Sequence, residues 1–225
     1  MNVCILGSSG GFAFDYLLLA IKLGVVSAQV NRIITDRPCR TNEVAKKHNI
    51  NSTIIKQDMS IDRGTYSDLL LEQIPENIDI ILISLRRLIS GKILSKYKNK
   101  IVNTHPSLLP SYKGYGANNK LLNEGKTVFG GCSCHIVNDL PDDGPIIIQS
   151  VVPLGVEENL TEWELKLWHH QKYNLSQTVQ FFSDNRIKVT KEKVIISDAK
   201  YGGLPTNPSI EIDFSEVDKF FKIEK

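Results

Sequence analysis

Two short segments of this sequence bring together residue types that suit a reaction in which protons move. Asn103 and His105 follow the apolar run that begins at Ile101, and because they lie two residues apart their side chains point to the same side of a strand. Asp142 stands in an acidic turn after a later apolar run. An amide, an imidazole and a carboxylate together suit chemistry in which negative charge develops on an oxygen. We therefore predict that Asn103, His105 and Asp142 are the catalytic residues and face one crevice.

The composition is that of an ordinary globular protein. Hydrophobic residues make up 41% and charged residues 23% of the 225 residues, which argues against disorder and fits one α/β domain with a full core. The net charge of +2, without any run of Lys or Arg, gives no indication of a nucleic-acid-binding surface. We predict one catalytic domain over residues 1–200 and a tail over residues 201–225.

The cysteines and the apolar runs indicate a cytoplasmic protein. Cys4, Cys39, Cys132 and Cys134 include no C-x-x-C pair, so reduced thiols are expected. The sequence has no signal-peptide pattern and no apolar run of about eighteen residues. We therefore expect a soluble, cytoplasmic chain without a membrane partner.

Strand and helix patterns alternate along most of the chain. Strands are predicted over residues 2–6, 30–35, 52–56, 78–84, 129–137 and 145–152 and in the run from Ile101, and helices over residues 12–23, 42–48, 65–74 and 117–124. This alternation favours an α/β fold with a doubly wound, mainly parallel sheet. Later in the chain, residues 159–183 fit one long amphipathic helix or two shorter ones, and residues 186–197 alternate like one or two edge strands.

Ligands of such sheets bind beyond the carboxyl ends of the strands, which places residues 7–11, 84–87 and 103–105 on one rim. Residues 7–11 form a glycine-rich turn between a strand and a helix, where free backbone N–H groups can bind an anion. The turn is neither a Walker loop nor a G-x-G-x-x-G motif. On the residues alone, an anion site and a plain tight turn both remain open.

The segment from Asn103 to Pro110 and the later His135…Asp142-x-Gly144-Pro145 resemble the folate-dependent formyltransferases, in particular the glycinamide ribonucleotide transformylases of purine synthesis. The resemblance implies a Rossmann-like fold with antiparallel edge strands and N10-formyltetrahydrofolate as co-substrate, with no metal. It implies that Asn103 and His105 hydrogen-bond the formyl oxygen, with His105 as the proton donor. Asp142 would support the imidazolium and relay the amine proton through water, and His135 would have a supporting role.

The resemblance also implies two binding regions, with the acceptor phosphate in the half before about residue 100 and the folate in the half after it. Folate contacts are implied for Arg87, Leu88, Ile89, Val137, Asn138 and Leu140. Acceptor contacts are implied for Ser8, Ser9, Gly10, Gly11, Arg63 and Gln171. Arg63 could equally be a solvated loop charge. Gln171 stands where the family has a Glu that recognises the amine side of the acceptor, so the residue at this position lacks the family's charge.

Several functions therefore remain open. The first is formylation of glycinamide ribonucleotide, a small amine that bears a phosphate; the second is formylation of a nucleotide-linked amino sugar. Hydrolysis of the formyl donor, a non-catalytic folate- or nucleotide-binding module and formylation of methionyl-tRNA are further alternatives. His169 and His170 are adjacent on a predicted helix and point about 100° apart, so we expect no metal site there. The oligomeric state is expected to be a monomer or a homodimer.

Overall fold

The computed structural model describes residues 1–8, 11–203 and 205–222. The strands of this part of the chain are β1 (Asn2–Gly7), β2 (Gln29–Thr35), β3 (Ser52–Ile54), β4 (Ile80–Ser84), β5 (Ile101–His105), β6 (Phe129–Ile136), β7 (Ile146–Pro153), β8 (Ile187–Val189), β9 (Val194–Ile196) and β10 (Thr206–Asn207). The helices are α1 (Phe12–Lys22), α2 (Arg40–Lys47), α3 (Arg63–Glu72), α4 (Lys92–Lys96), α5 (Ala117–Glu124), α6 (Leu160–Ser183) and α7 (Ser215–Phe220).

Within these residues, eight strands form one mixed sheet in the order β10-β7-β6-β5-β4-β1-β2-β3. The pairs between β1 and β2, β1 and β4, β2 and β3, and β4 and β5 are parallel, whereas β6, β7 and β10 add antiparallel strands on one side. The chain leaves β1 in one direction to form β2 and β3 and later returns to the other side of β1 to form β4 and β5. The prediction of a mainly parallel, doubly wound sheet with antiparallel edge strands is confirmed.

Helices cover both faces of the sheet, because alternate residues of the central strands are apolar. In β1, Val3 and Ile5 face α1 and α6, whereas Cys4 and Leu6 face the side covered by α3 and α4. All four side chains are fully buried. A strand that is buried on both faces has no solvent side, so only its ends can present polar groups to a ligand.

One continuous helix, α6, forms the last long element. Asn159 caps its N-terminus by accepting a hydrogen bond from the backbone N–H of Glu162, whose carboxylate accepts one from the Asn159 N–H in return. The helix then packs along β6 and β7 and against α1. Of the two alternatives left open by the sequence, one long helix is therefore correct.

Two helices begin earlier than predicted, and one short helix was not predicted. The helix predicted from residue 65 begins at Arg63, because the Asp62 carboxylate caps it by accepting from the N–H groups of Gly64 and Thr65. Arg63 therefore lies in the first turn of α3, not in a loop. The helix predicted from residue 42 begins two residues earlier, after Cys39, and the short helix α4 was not predicted.

The chain after α6 also differs from the prediction. Residues 186–197 form two strands, as predicted, but β8 and β9 pair only with each other in a separate two-stranded sheet. The edge next to β7 is occupied instead by β10 from the tail. Further along, Lys172 of α6 forms an ion pair with Asp218 of α7, which fixes this helix against the body of the protein. No helix in the described ranges is long and apolar enough to cross a membrane.

Candidate functional site

The pairing of β5 with β6 determines which polar side chains meet at the end of the sheet. The antiparallel register places Asn103 opposite His135 and His105 opposite Ser133. The turn between β6 and β7 then returns towards β5 and carries Asp142, whose backbone is in the left-handed region with φ 48°. Strand register and one tight turn thus bring Asn103, His105, His135 and Asp142 together.

These four side chains are within direct contact. Asn103 Nδ2 lies 3.1 Å from His135 Nε2 and donates to Asp142 Oδ1 at 3.2 Å. His105 Nδ1 is 3.4 Å from Asp142 Oδ2, and His135 Nε2 is 3.5 Å from Asp142 Oδ1. The three residues predicted to be catalytic therefore form one cluster with His135 inside it. We call this group the catalytic cluster.

The protonation of His135 follows from its hydrogen bonds. Its Nδ1 lies 2.9 Å from the carbonyl oxygen of Ile136, which can only accept, so Nδ1 carries a proton. Its Nε2 faces both the Asn103 amide, at 3.1 Å, and the Asp142 carboxylate, at 3.5 Å. His135 is buried to 2% exposure, so it orients Asn103 from inside the sheet and does not face solvent.

A loop that the sequence analysis did not assign to the site holds both His105 and Asp142. His105 Nε2 donates to the backbone carbonyl of Tyr112 at 2.9 Å, and the Gly114 N–H donates to Asp142 Oδ2 at 2.8 Å. Tyr112 and Gly114 both have positive φ, which lets the short loop turn its backbone towards the cluster. A ligand oxygen can reach the His105 N–H only by replacing the Tyr112 carbonyl.

The cluster shifts the pKa values of its ionisable groups. Burial opposes ionisation of Asp142, but contacts with His135, His105 and the Gly114 N–H outweigh it and lower the pKa of this carboxyl to about 2. Burial lowers the pKa of His105, and the Tyr112 carbonyl and the Asp142 carboxylate oppose this only in part. At neutral pH the cluster thus holds an ionised carboxylate beside a neutral imidazole.

A cavity of about 390 Å³ opens beside the catalytic cluster. Its apolar wall includes Leu88, Ile89, Val137 and Leu140, and Arg87 and Asn138 also line it. All six residues predicted to contact the folate therefore lie around one cavity that also reaches Asn103, His105 and Asp142. Residues 114–119 and Glu164 of α6 also line the cavity.

The two arginines predicted to bind ligands both line this cavity but donate to backbone carbonyls. Arg87 donates to the carbonyls of Asp58 and Ile61, and its guanidinium stacks on the Tyr66 ring. Arg63 donates through Nε and Nη2 to the carbonyl of Ile89. In this arrangement both guanidinium groups fix the loops around the apolar wall.

The predicted acceptor loop lies at the carboxyl end of β1. Ser8 is buried; its hydroxyl donates to Asp36 and accepts from the backbone N–H of Arg86. Gly11 adopts φ 62° directly before α1. Ser9 and Gly10 lie outside the described residues. The Ser8 hydroxyl thus ties the carboxyl ends of β1, β2 and β4 together and is already satisfied within the protein.

Next to this loop, Phe12 at the start of α1 stacks on Trp168 of α6, with ring centroids 5.4 Å apart. Gln171, the remaining predicted acceptor residue, is half-buried on α6 and does not line the cavity. Asn118, Asn119 and Glu164 do line it and were missed, because nothing in their sequence context distinguishes them from surface residues. Among the described residues no group of three or more His, Cys, Asp or Glu is placed to hold a metal ion.

Comparisons with known proteins all match the chain to related proteins. A family model described as Formyl transferase matches residues 1–179. The chain is 27% identical over 194 residues to the phosphoribosylglycinamide formyltransferase of Escherichia coli (strain K12), which covers 84% of this chain and 90% of that protein. It is 30% identical over 205 residues to the human trifunctional purine biosynthetic protein adenosine-3, covering 85% of this chain. The chain spans only 20% of the length of that human protein.

A solved structure has the same fold. Glycinamide ribonucleotide transformylase 1 from Symbiobacterium toebii superposes with a TM-score of 0.83 at 24% identity, covering 88% of this chain and 94% of that one. This likeness shows that the two chains share one fold.

Proposed function

Because this chain belongs to the formyl transferase family, we propose that it transfers the formyl group of N10-formyltetrahydrofolate to the primary amine of phosphoribosylglycinamide. The observation that carries the proposal is the contact of Asn103, His105 and Asp142 at the edge of a cavity with an apolar wall. The E. coli relative, which the chain matches over most of its length, is named for this acceptor.

The donor fits the cavity by its chemistry. A pteridine is a flat, largely apolar ring system with polar edges, and Leu88, Ile89 and Val137 offer it an apolar wall. Asn138 and the backbone around it offer polar partners on the same side. The folate supplies the formyl group, and residues at the carboxyl end of β5 are next to it when it occupies this wall.

The reaction requires one nitrogen to replace another on the formyl carbon. The acceptor amine forms a bond to that carbon, the bond from the carbon to N10 breaks, and the proton lost by the amine is transferred to N10. His105 and Asn103 stabilise the negative charge on the formyl oxygen once substrate replaces their present partners. Asp142, ionised and in contact with His105, is the group of the cluster that accepts the amine proton.

A specific observation favours a second candidate, the formylation of a nucleotide-linked amino sugar. The predicted phosphate ligands are engaged within the protein, Ser8 with Asp36 and Arg63 with the Ile89 carbonyl. An acceptor whose phosphates lie further from its amine would not depend on these two side chains.

An acceptor screen tests the proposal. The protein is incubated with N10-formyltetrahydrofolate and either phosphoribosylglycinamide or nucleotide-linked 4-amino sugars, and tetrahydrofolate release and product mass are followed. Asp142→Asn is the inactive control, and Asp143→Asn removes the neighbouring charge, which pairs with Lys113 outside the cluster. We expect the wild type and Asp143→Asn to form formylated phosphoribosylglycinamide and Asp142→Asn to form none. Turnover of amino sugars only supports the second candidate, and formate without any acceptor overturns both.

A further inference from the structure

The residues that line the cavity include a second carboxylate, which is held in a fixed orientation. Glu164, in the first turns of α6, accepts a hydrogen bond through Oε1 from Asn118 Nδ2 at 3.2 Å. The Asn118 Oδ1 in turn accepts from the indole N–H of Trp163, also at 3.2 Å. Trp163 is fully buried, so this chain of hydrogen bonds anchors the Glu164 side chain to the core.

Glu164 and Asp142 are the two acidic residues among the described residues that line the cavity. The oxygens of Asp142 are occupied by the Asn103 amide and by the Gly114 N–H. Glu164 Oε2 has no hydrogen-bond partner within the described part of the chain, and Asn118 orients the carboxylate through its other oxygen. The cavity therefore has one half-buried carboxylate oxygen available to a ligand.

We propose that Glu164 binds the protonated amine of the acceptor and so selects acceptors that are cationic at their reacting end. This inference rests on the proposed function, since a primary amine similar to an α-amino group, with a pKa of about 8, is largely an ammonium at neutral pH. A half-buried carboxylate attracts such a cation more strongly than one in bulk water does. Gln171 lies two turns further along α6 and outside the cavity, so it does not serve this role.

This role predicts that Glu164 affects the acceptor KM and has little effect on kcat. Glu164 stabilises the ammonium, whereas the reaction needs the neutral amine, so the interaction lowers KM without raising kcat. Removing it should raise the acceptor KM and leave kcat unchanged or slightly higher. The pH at which acceptor-saturated turnover reaches half its maximum should fall, because the bound amine then loses its proton more readily.

The experiment compares the wild type with Glu164→Gln and with Glu157→Gln, which removes an exposed carboxylate just before α6. Acceptor KM and kcat are measured with phosphoribosylglycinamide. Calorimetry gives the affinities for that amine and for its neutral N-acetyl derivative. Glu164→Gln should raise KM about 10- to 100-fold and abolish the preference for the amine, since a hydrogen bond to a charged group is lost. Glu157→Gln should behave as the wild type.

An unchanged KM and an unchanged preference in Glu164→Gln overturn the inference, as does an equal loss in Glu157→Gln. A loss of kcat with unchanged KM also overturns it, because this would make Glu164 a positioning residue for the catalytic cluster. A wild type that binds the amine through Glu164 but never formylates it overturns the proposed function alone. If Glu164→Gln unfolds, Asn118→Ala serves instead, because it frees the carboxylate from its anchor and should raise KM by a smaller factor.

Discussion

The two ends of the candidate site differ in the partners that hold their polar side chains. At the β5 and β6 end, polar side chains contact one another, and Asn103, His105 and Asp142 form a cluster held by strand register and one turn. At the glycine-loop end, the polar groups predicted to meet the acceptor are turned towards the protein, Ser8 to Asp36 and Arg63 to a backbone carbonyl. The pairing of β5 with β6 thus positions Asn103 and His105, whereas Ser8 and Arg63 are held by partners from other elements of the fold.

The largest effect should come from the cluster itself. His105→Ala removes the imidazole that we propose donates to the formyl oxygen, so kcat should fall on the order of 10³-fold. Binding of tetrahydrofolate should stay within about twofold, because the apolar wall is untouched. Steady-state kinetics and folate titration measure both, with His169→Ala as a control for an exposed histidine outside the cavity. Retention of a tenth of the wild-type kcat would remove His105 from the mechanism.

A smaller effect should appear in the free energy of unfolding of the protein. The pKa of Asp142 is about 2 in the folded protein against an ordinary value of 3.8, so its ionised form stabilises the fold above pH 3.8. This stabilisation is lost as pH falls from 3.8 towards 2. Asp142→Asn should therefore lower the free energy of unfolding at pH 7 by about 2 kcal/mol, with a smaller difference at pH 3.

Urea unfolding at several pH values measures this difference, with Asp143→Asn as the control. Asp143 is exposed and pairs with Lys113, so its variant should differ from the wild type by less than about 1 kcal/mol at every pH. A difference for Asp142→Asn that does not shrink on acidification would mean that the ion contacts in the cluster contribute nothing to the fold.

The smallest effect tests the loop end. Arg63→Ala should raise the KM for the folate donor about 3- to 10-fold, because the loss of hydrogen bonds to the Ile89 carbonyl loosens the apolar wall. The acceptor KM should not change. Lys92→Ala, which breaks an exposed ion pair with Asp68, is the matched control for a lost cation nearby. A rise in the acceptor KM alone would instead return Arg63 to its predicted contact with the acceptor phosphate.

The sequence predicted the residues at strand ends better than the contacts made by loops. The continuous apolar run of β1 and the two-residue spacing of Asn103 and His105 are local features of the sequence, so the sheet and the strand-end residues were correctly placed. The contact of His105 with the Tyr112 carbonyl depends on a backbone in left-handed conformation, which the residue type Tyr does not indicate. The roles in catalysis and binding stay predictions until they are measured.

Long-range contacts explain the remaining differences. The Arg63 guanidinium donates to the backbone carbonyl of Ile89, which lies 26 residues further along the chain. No sequence pattern around either residue indicates this hydrogen bond. The hairpin of β8 and β9 alternates like an edge strand, yet the edge beside β7 is occupied by β10 from the tail. Such competition between segments for one sheet edge is invisible in the pattern of a single segment.

Because Trp168 stacks on Phe12 next to the glycine loop, its fluorescence can be used to follow binding at that loop. The chain has two tryptophans, and Trp163 lies sealed in the core whereas Trp168 is half-exposed beside the glycine loop. The difference in tryptophan fluorescence between the wild type and a Trp168→Phe variant isolates the signal of Trp168 and leaves Trp163, which holds Asn118, unchanged. The Trp168 emission would then shift as an acceptor displaces water from that loop, so that acceptor affinities can be read without label or turnover, including those of variants too slow to assay.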